Sequence, residues 1–246
     1  MKKAPVLPHV KKTIVRKKVA PKRFHIISLF PETMQGYLND SIVGRAQEKK
    51  LIKIDYQNPR AFTKDKFARV DQRPYGGGPG MVLQAEPFLK AIAKAKGKRV
   101  AKTKVIFFAP EGTQFTNAIA RDWVKKYDEF IFISGRYEGI DARVKRILRP
   151  EVVTVGPYVL TGGELPAMIC IDAMTRQIPG VLGDFASLEE ERTASPDAYT
   201  RPDVLVWKQK KYKVPEVLKT GNHRLIEEWR KEQLAKQEKS MEKNKK

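Results

Sequence analysis

Polar side chains that could do chemistry sit inside three glycine-broken stretches: RPYGGGPGM (73–81), SGRYEGID (134–141) and GPYVLTGGELPA (156–167). Thirteen of the sixteen glycines fall between 76 and 183, most of them where a strand-like run ends. Glycine there lets a ligand meet backbone N–H and C=O groups directly. In an open α/β sheet, ligands bind at the carboxyl ends of strands. The spacing is not that of a phosphate loop: in VTVGPYVLTGGELPAM (153–168) no Lys-Ser or Lys-Thr follows the last glycine, and G-x-G-x-x-G is absent. Arg136, Tyr137 and Glu138 lie between Gly135 and Gly139, and Glu164 follows Gly163 at a helix start, where an acid also favours the macrodipole. Arg176 lies four residues after Asp172. A pair at that spacing is an ordinary helix contact worth a few tenths of a kcal/mol, so spacing alone gives Arg176 a structural role. His9, His25 and His223 are scattered and show no zinc spacing. Cys170, the single cysteine, excludes an internal disulfide, fits a reducing compartment and reads as buried filler in an apolar helical pattern.

The elements that must position these residues alternate. Strand patterns cover 24–30, 51–57, 104–110, 129–134 and 151–160, and helix patterns cover 41–50, 86–98, 115–128, 141–148 and 164–178. Such alternation predicts an α/β fold with a mostly parallel sheet and helices on both faces. Past Gly183 the character changes. Residues 184–202 read as a flexible linker, and 214–233 hold one clear helix with Asn222 as its N-cap. The expected division is a basic arm (1–23), an α/β domain (24–183), a linker (184–202), a small helical C-terminal domain (203–233) and a charged tail (234–246).

Charge points to the partner. Lys and Arg number 49 against 28 Asp and Glu, a net +21, which suggests a polyanion, nucleic acid first. Residues 1–23 carry nine Lys/Arg and no acid, and lack the apolar core of a secretory signal. No run approaches the ~20 apolar residues of a membrane helix.

SLFPE (28–32), RPYGGGPGM, GRYEGID, YVLTGGELPAM with the following IDAMTRQIPGVLG, YTRP (199–202) and GNHRLIEEWR (221–230) together resemble the bacterial tRNA (guanine-N1)-methyltransferase family, of the SPOUT class. The resemblance covers 24–233. It implies methyl transfer from S-adenosyl-L-methionine to N1 of the guanine at tRNA position 37, immediately 3′ of the anticodon, by a cytoplasmic homodimer with the active site at the subunit interface. It also implies a deep trefoil knot, a rare exception to the rule against knots. By motif, the cofactor walls fall on Ala109, Pro110, Gly135, Tyr137, Glu138, Gly139, Val155, Gly156, Pro157, Tyr158, Val159, Leu160, Gly162, Gly163 and Pro166. Gly78, Pro79 and Gly80 approach the tRNA, and the catalytic arginine falls on Arg176, against the structural role that its spacing suggests. The resemblance admits Mg²⁺ as an assistant and assigns no residue to a metal.

N1 of guanine carries a proton and is a poor nucleophile until that proton leaves. A carboxylate can take it, and a permanent, forked cation at O6 can stabilise the charge that builds there. The resemblance places the base in the linker, where the family's aspartate is replaced by Glu191. The two acids have similar intrinsic pKa values, ~4.3 against ~3.9; Asp184 and Asp197 are the alternatives. Pro157 stands where many relatives carry Asp, and the linker and C-terminal domain are short for the family. A relative that binds tRNA without an effective base, and a general basic RNA-binding protein, are the rival readings.

Overall fold

Strand β6 (Glu129–Ile133) is buried along its whole length, and its alternation explains the layers around it. The computed structural model describes residues 20–97, 101–182 and 197–243. β6 lies at the centre of a five-stranded sheet with β1 (Lys22–Ile27), β2 (Ile52–Gln57), β5 (Thr103–Gln114) and β7 (Glu151–Thr154), in the order β2-β1-β6-β5-β7. Every neighbouring pair is parallel. A parallel sheet needs cover on both faces. Phe130 and Phe132 of β6, with Phe24 and Ile26 of β1, face a core that also contains Met34, Trp123 and Met174. These come from α1 (Glu32–Leu38), α4 (Asn117–Lys126) and α6 (Glu164–Arg176); Val43 and Ala46 of α2 (Ser41–Glu48) join them. Ile131 and Ile133 point the other way, into a second core with Phe88, Ile92 and Val144, supplied by α3 (Ala85–Lys96) and α5 (Ala142–Leu148). Each such large apolar side chain contributes about 1.5–3 kcal/mol by leaving water. The expected parallel sheet with helices on both faces is therefore observed.

Several boundaries differ from the sequence reading for physical reasons. The sheet begins at Lys22, not Phe24: Lys22 Nζ donates to the Tyr127 carbonyl at 2.6 Å and pairs with Asp128 at 3.1 Å, so the last two basic residues of the expected arm belong to the sheet. β5 does not stop at Pro110. It shifts register against β7 between Phe108 and Thr113 and runs on to Gln114, with the proline placed in the irregularity, where a missing N–H is tolerated. β7 ends at Thr154, well short of 160. α1 was not expected. Two short strands, β3 (Asp71–Gln72) and β4 (Val82–Leu83), pair within the loop-rich region.

The C-terminal region is not purely helical. β8 (Val204–Trp207) and β9 (Lys210–Lys213) form an antiparallel hairpin. Asn222 caps the following helix as expected, accepting from the Leu225 N–H at 3.3 Å. That helix, α7 (His223–Lys243), continues past 233 into the expected tail. Tyr199 of YTRP packs on Trp229, with ring centroids 6.4 Å apart.

Candidate active site

Three loops leave the carboxyl ends of adjacent strands and meet. The first is the irregular segment of β5, Ala109–Gly112. Gly112 is needed because a Cβ there would lie 2.5 Å from the Val153 backbone. The second follows β6. It turns sharply, with Gly139 N–H bonded to the Arg136 carbonyl at 3.1 Å, and holds Tyr137 at φ +60, a left-handed conformation uncommon for an aromatic residue. Strain of that kind concentrates at ligand sites. The third is the stretch after β7, 155–163. It is laced to the second: Gly163 N–H donates to the Gly135 carbonyl at 2.9 Å, and Arg136 bridges Gly162.

A buried ionic contact fixes the junction. Glu164, the first residue of α6, is 4% exposed. Its Oε1 accepts from the Ser28 hydroxyl at 2.7 Å, and its Oε2 lies 2.9 Å from Arg136 Nε. The guanidinium is not aligned for a hydrogen bond through that nitrogen, so the contact is a charge pair, completed by the Phe30 ring 5.0 Å from the Arg136 carbon. Gly162 must be glycine, since a Cβ would come within 2.5 Å of both members of the pair.

Between the loops lies a cavity of about 430 Å³. Of the residues expected to hold a cofactor, Ala109, Pro110, Gly135, Tyr137, Glu138, Gly139, Val155, Tyr158, Val159, Leu160, Gly162, Gly163 and Pro166 line it. Gly156 and Pro157 are not in its wall. Gly156 lies under the Tyr158 ring, which leaves no room for a side chain, and Pro157 is exposed. The cavity also contains residues the sequence reading did not single out, among them Glu111 and Lys145. They pair at 3.3 Å, and the Glu111 carboxyl is lowered from its usual pKa chiefly by its own backbone N–H, with burial opposing and Lys145 adding a further lowering. Lys145 carried only a helical-surface signal; Glu111 follows Pro110 directly and could have been included on position.

The glycine-rich loop approaches the same place. Glu138 N–H donates to the Met81 carbonyl at 3.1 Å, and Leu83 exchanges hydrogen bonds with Gly139 and Asp141, each at 2.9 Å. Gly80, at φ +81, passes so close to the Glu138 side chain that a Cβ would lie 2.6 Å from its Oε1. Gly78, Pro79 and Gly80 are exposed.

Arg176 is not brought to this cavity. It ends α6, ten residues beyond Pro166, about 15 Å along the helix axis, farther than one side chain spans. The hydrogen bond described for Asp172 is from the Tyr37 hydroxyl, at 2.6 Å. Glu191 and Asp184 lie outside the described residues, and so does most of the expected linker and basic arm.

The family model for tRNA (Guanine-1)-methyltransferase TrmD matches residues 22–244. The chain belongs to this family. It is 46% identical over 209 residues to the tRNA (guanine-N(1)-)-methyltransferase of Photobacterium profundum, covering 83% of this chain and 82% of the relative. It is 45% identical over 215 residues to that of Carboxydothermus hydrogenoformans, covering 86% and 82%. The crystal structure of the tRNA (m1G37) methyltransferase from Aquifex aeolicus superimposes with a TM-score of 0.72 at 33% identity, over 92% of this chain and 94% of that one. Family membership agrees with the methyltransferase reading and disfavours a general RNA-binding protein. Among the described residues no helix is long and apolar enough to cross a membrane.

Proposed function

We propose that this chain transfers a methyl group from S-adenosyl-L-methionine to N1 of guanine 37 in tRNA, in the cytoplasm. The observation that carries the reading is the cavity formed where three strand-end loops are laced together. Its size lies within the ~300–1,000 Å³ range of small-molecule sites. Its walls combine strand-end backbone, apolar side chains such as Val155 and Leu160, and the charges of Glu111, Glu138 and Lys145. That set suits a nucleoside bearing an amino-acid tail. The lacing of Gly135 and Arg136 to Gly162 and Gly163 supports a knotted SPOUT threading.

When bound, the cofactor supplies an activated sulfonium methyl. The cavity residues bind and orient it, and the tight loop contacts exclude water from one side. Arg176 stabilises the charge on guanine O6. Glu191 accepts the N1 proton, which leaves a negative charge shared between N1 and O6 and frees the N1 lone pair as the nucleophile. The remoteness of Arg176 from the cavity of its own chain supports a homodimer in which the second copy supplies it. Leu165 (49% exposed) and Ile169 (39%) give α6 an apolar strip for such an interface, with Tyr37 beside it on α1. Residues 203–243 and the basic arm are assigned to holding tRNA. Among the described residues there is no group of three or more His, Cys, Asp or Glu that could hold a metal ion.

Single-turnover transfer of labelled methyl to a tRNA transcript tests the reading. Transfer is expected with guanine at position 37 and absent with adenine. Binding of both cofactor and tRNA without transfer would instead favour the relative that lacks an effective base.

A further inference from the structure

The β8–β9 hairpin exposes all ten of its residues, 204–213. Its register sets Leu205 opposite Tyr212 and Trp207 opposite Lys210. Directly opposed residues share a face of a ribbon. One face therefore carries Leu205, Trp207, Lys210 and Tyr212, and the other carries Val204, Val206, Lys211 and Lys213. Leu205, Trp207 and Tyr212 are 55%, 63% and 53% exposed. Large aromatic side chains in a folded chain normally bury most of their surface, and a contiguous exposed apolar patch marks an interaction site. The stretch 204–213 also holds Lys208, Lys210, Lys211 and Lys213 and no acid.

We propose that this ribbon grips a single-stranded part of the tRNA: an unpaired base stacks on Trp207 and Tyr212 while Lys210 on the same face and Lys208 in the turn hold the adjoining phosphates. Aromatic rings beside cations are what sequence-tolerant binding of single strands requires. Charge complementarity favours a polyanion as the occupant, because residues 204–213 carry four lysines and no acid. The inference rests on the tRNA reading above and adds a surface and a mode of contact to it.

The test uses the full chain and an unmodified tRNA transcript over a salt series. Trp207→Ala is expected to weaken tRNA binding about 5- to 150-fold, the equivalent of one lost base stack, and to raise KM for tRNA, with cofactor affinity unchanged by calorimetry. Trp207→Phe keeps a stacking ring and is expected to restore most of the affinity. The quenching of tryptophan fluorescence by tRNA is expected to be smaller in Trp207→Phe than in the wild type. Replacing Lys208 and Lys210 together by Gln is expected to lower the slope of log affinity against log salt by about 1.4. A blunt RNA duplex of equal length is expected to quench little. Wild-type affinity in Trp207→Ala, or equal quenching by the duplex, would overturn the proposal and leave the methyltransferase reading intact. So would dissociation of a dimer by Trp207→Ala in sedimentation, which would make a second copy the occupant. Failure of the wild type to bind tRNA would overturn both.

Discussion

Replacing Gly163 by alanine tests whether the two loops meet as described. Its backbone, at φ −85 and ψ −1, is open to any residue, so only space is at issue. An added Cβ would lie 2.6 Å from the Ser134 Cα and 3.1 Å from the Gly135 nitrogen. Carbon atoms prefer about 3.5–4.0 Å, so the loops must part by about 1 Å. That strain costs about 1–3 kcal/mol. The hydrogen bond from Gly163 N–H to the Gly135 carbonyl, now 2.9 Å, stretches or breaks, at about 1 kcal/mol. Alanine's lower entropy in the unfolded chain returns about 0.4–1 kcal/mol. The net expectation is a loss of about 1–4 kcal/mol in urea unfolding. Because the cavity is built on this contact, calorimetry should show S-adenosylmethionine affinity reduced at least about tenfold, a change of ~1.4 kcal/mol. Wild-type stability together with wild-type affinity would refute the lacing of the loops.

Glu164→Ala leaves Arg136 and Ser28 without their buried carboxylate and should destabilise by about 3–5 kcal/mol in denaturant unfolding. Arg176→Ala and Glu191→Ala should each lower the single-turnover rate about 100-fold or more while calorimetry shows cofactor affinity unchanged. Burial pushes the Cys170 thiol far above its ordinary pKa. A raised folded pKa gives stability that is complete below the unfolded value and lost as pH rises. Stability should therefore fall above pH ~8.5 as the unfolded chain ionises, Cys170→Ala should flatten that slope, and a thiol reagent should label only unfolded protein.

The parallel sheet was legible because EFIFI and VIFFA carry the apolar runs that buried strands require, and glycine marked the strand ends where the cavity lies. Other features depended on contacts far apart in sequence. Glu164 reads from sequence as an acid suited to a helix start; only the fold brings Ser28, 136 residues away, within 2.7 Å of it. Arg136 and Gly162 meet by a loop-to-loop bridge that no local pattern encodes. The β8–β9 hairpin escaped notice because its turn is Lys208-Gln209. Both residues adopt positive φ, +45 and +63, without the Asn or Gly that normally announces such a turn. α1 was hidden by its short length and by Gly36 within it. The family motifs narrowed those glycine-marked strand ends to thirteen named residues that line the cavity.

The central claim is that this chain methylates N1 of guanine 37. Digestion of a tRNA transcript after incubation with the protein and S-adenosylmethionine, followed by mass spectrometry of the nucleosides, addresses it most directly. The account predicts 1-methylguanosine, mapped by its oligonucleotide fragment to the residue 3′ of the anticodon. It also predicts none in Arg176→Ala after the same short incubation. Unmodified tRNA, or a methyl group on another base or position, would contradict it.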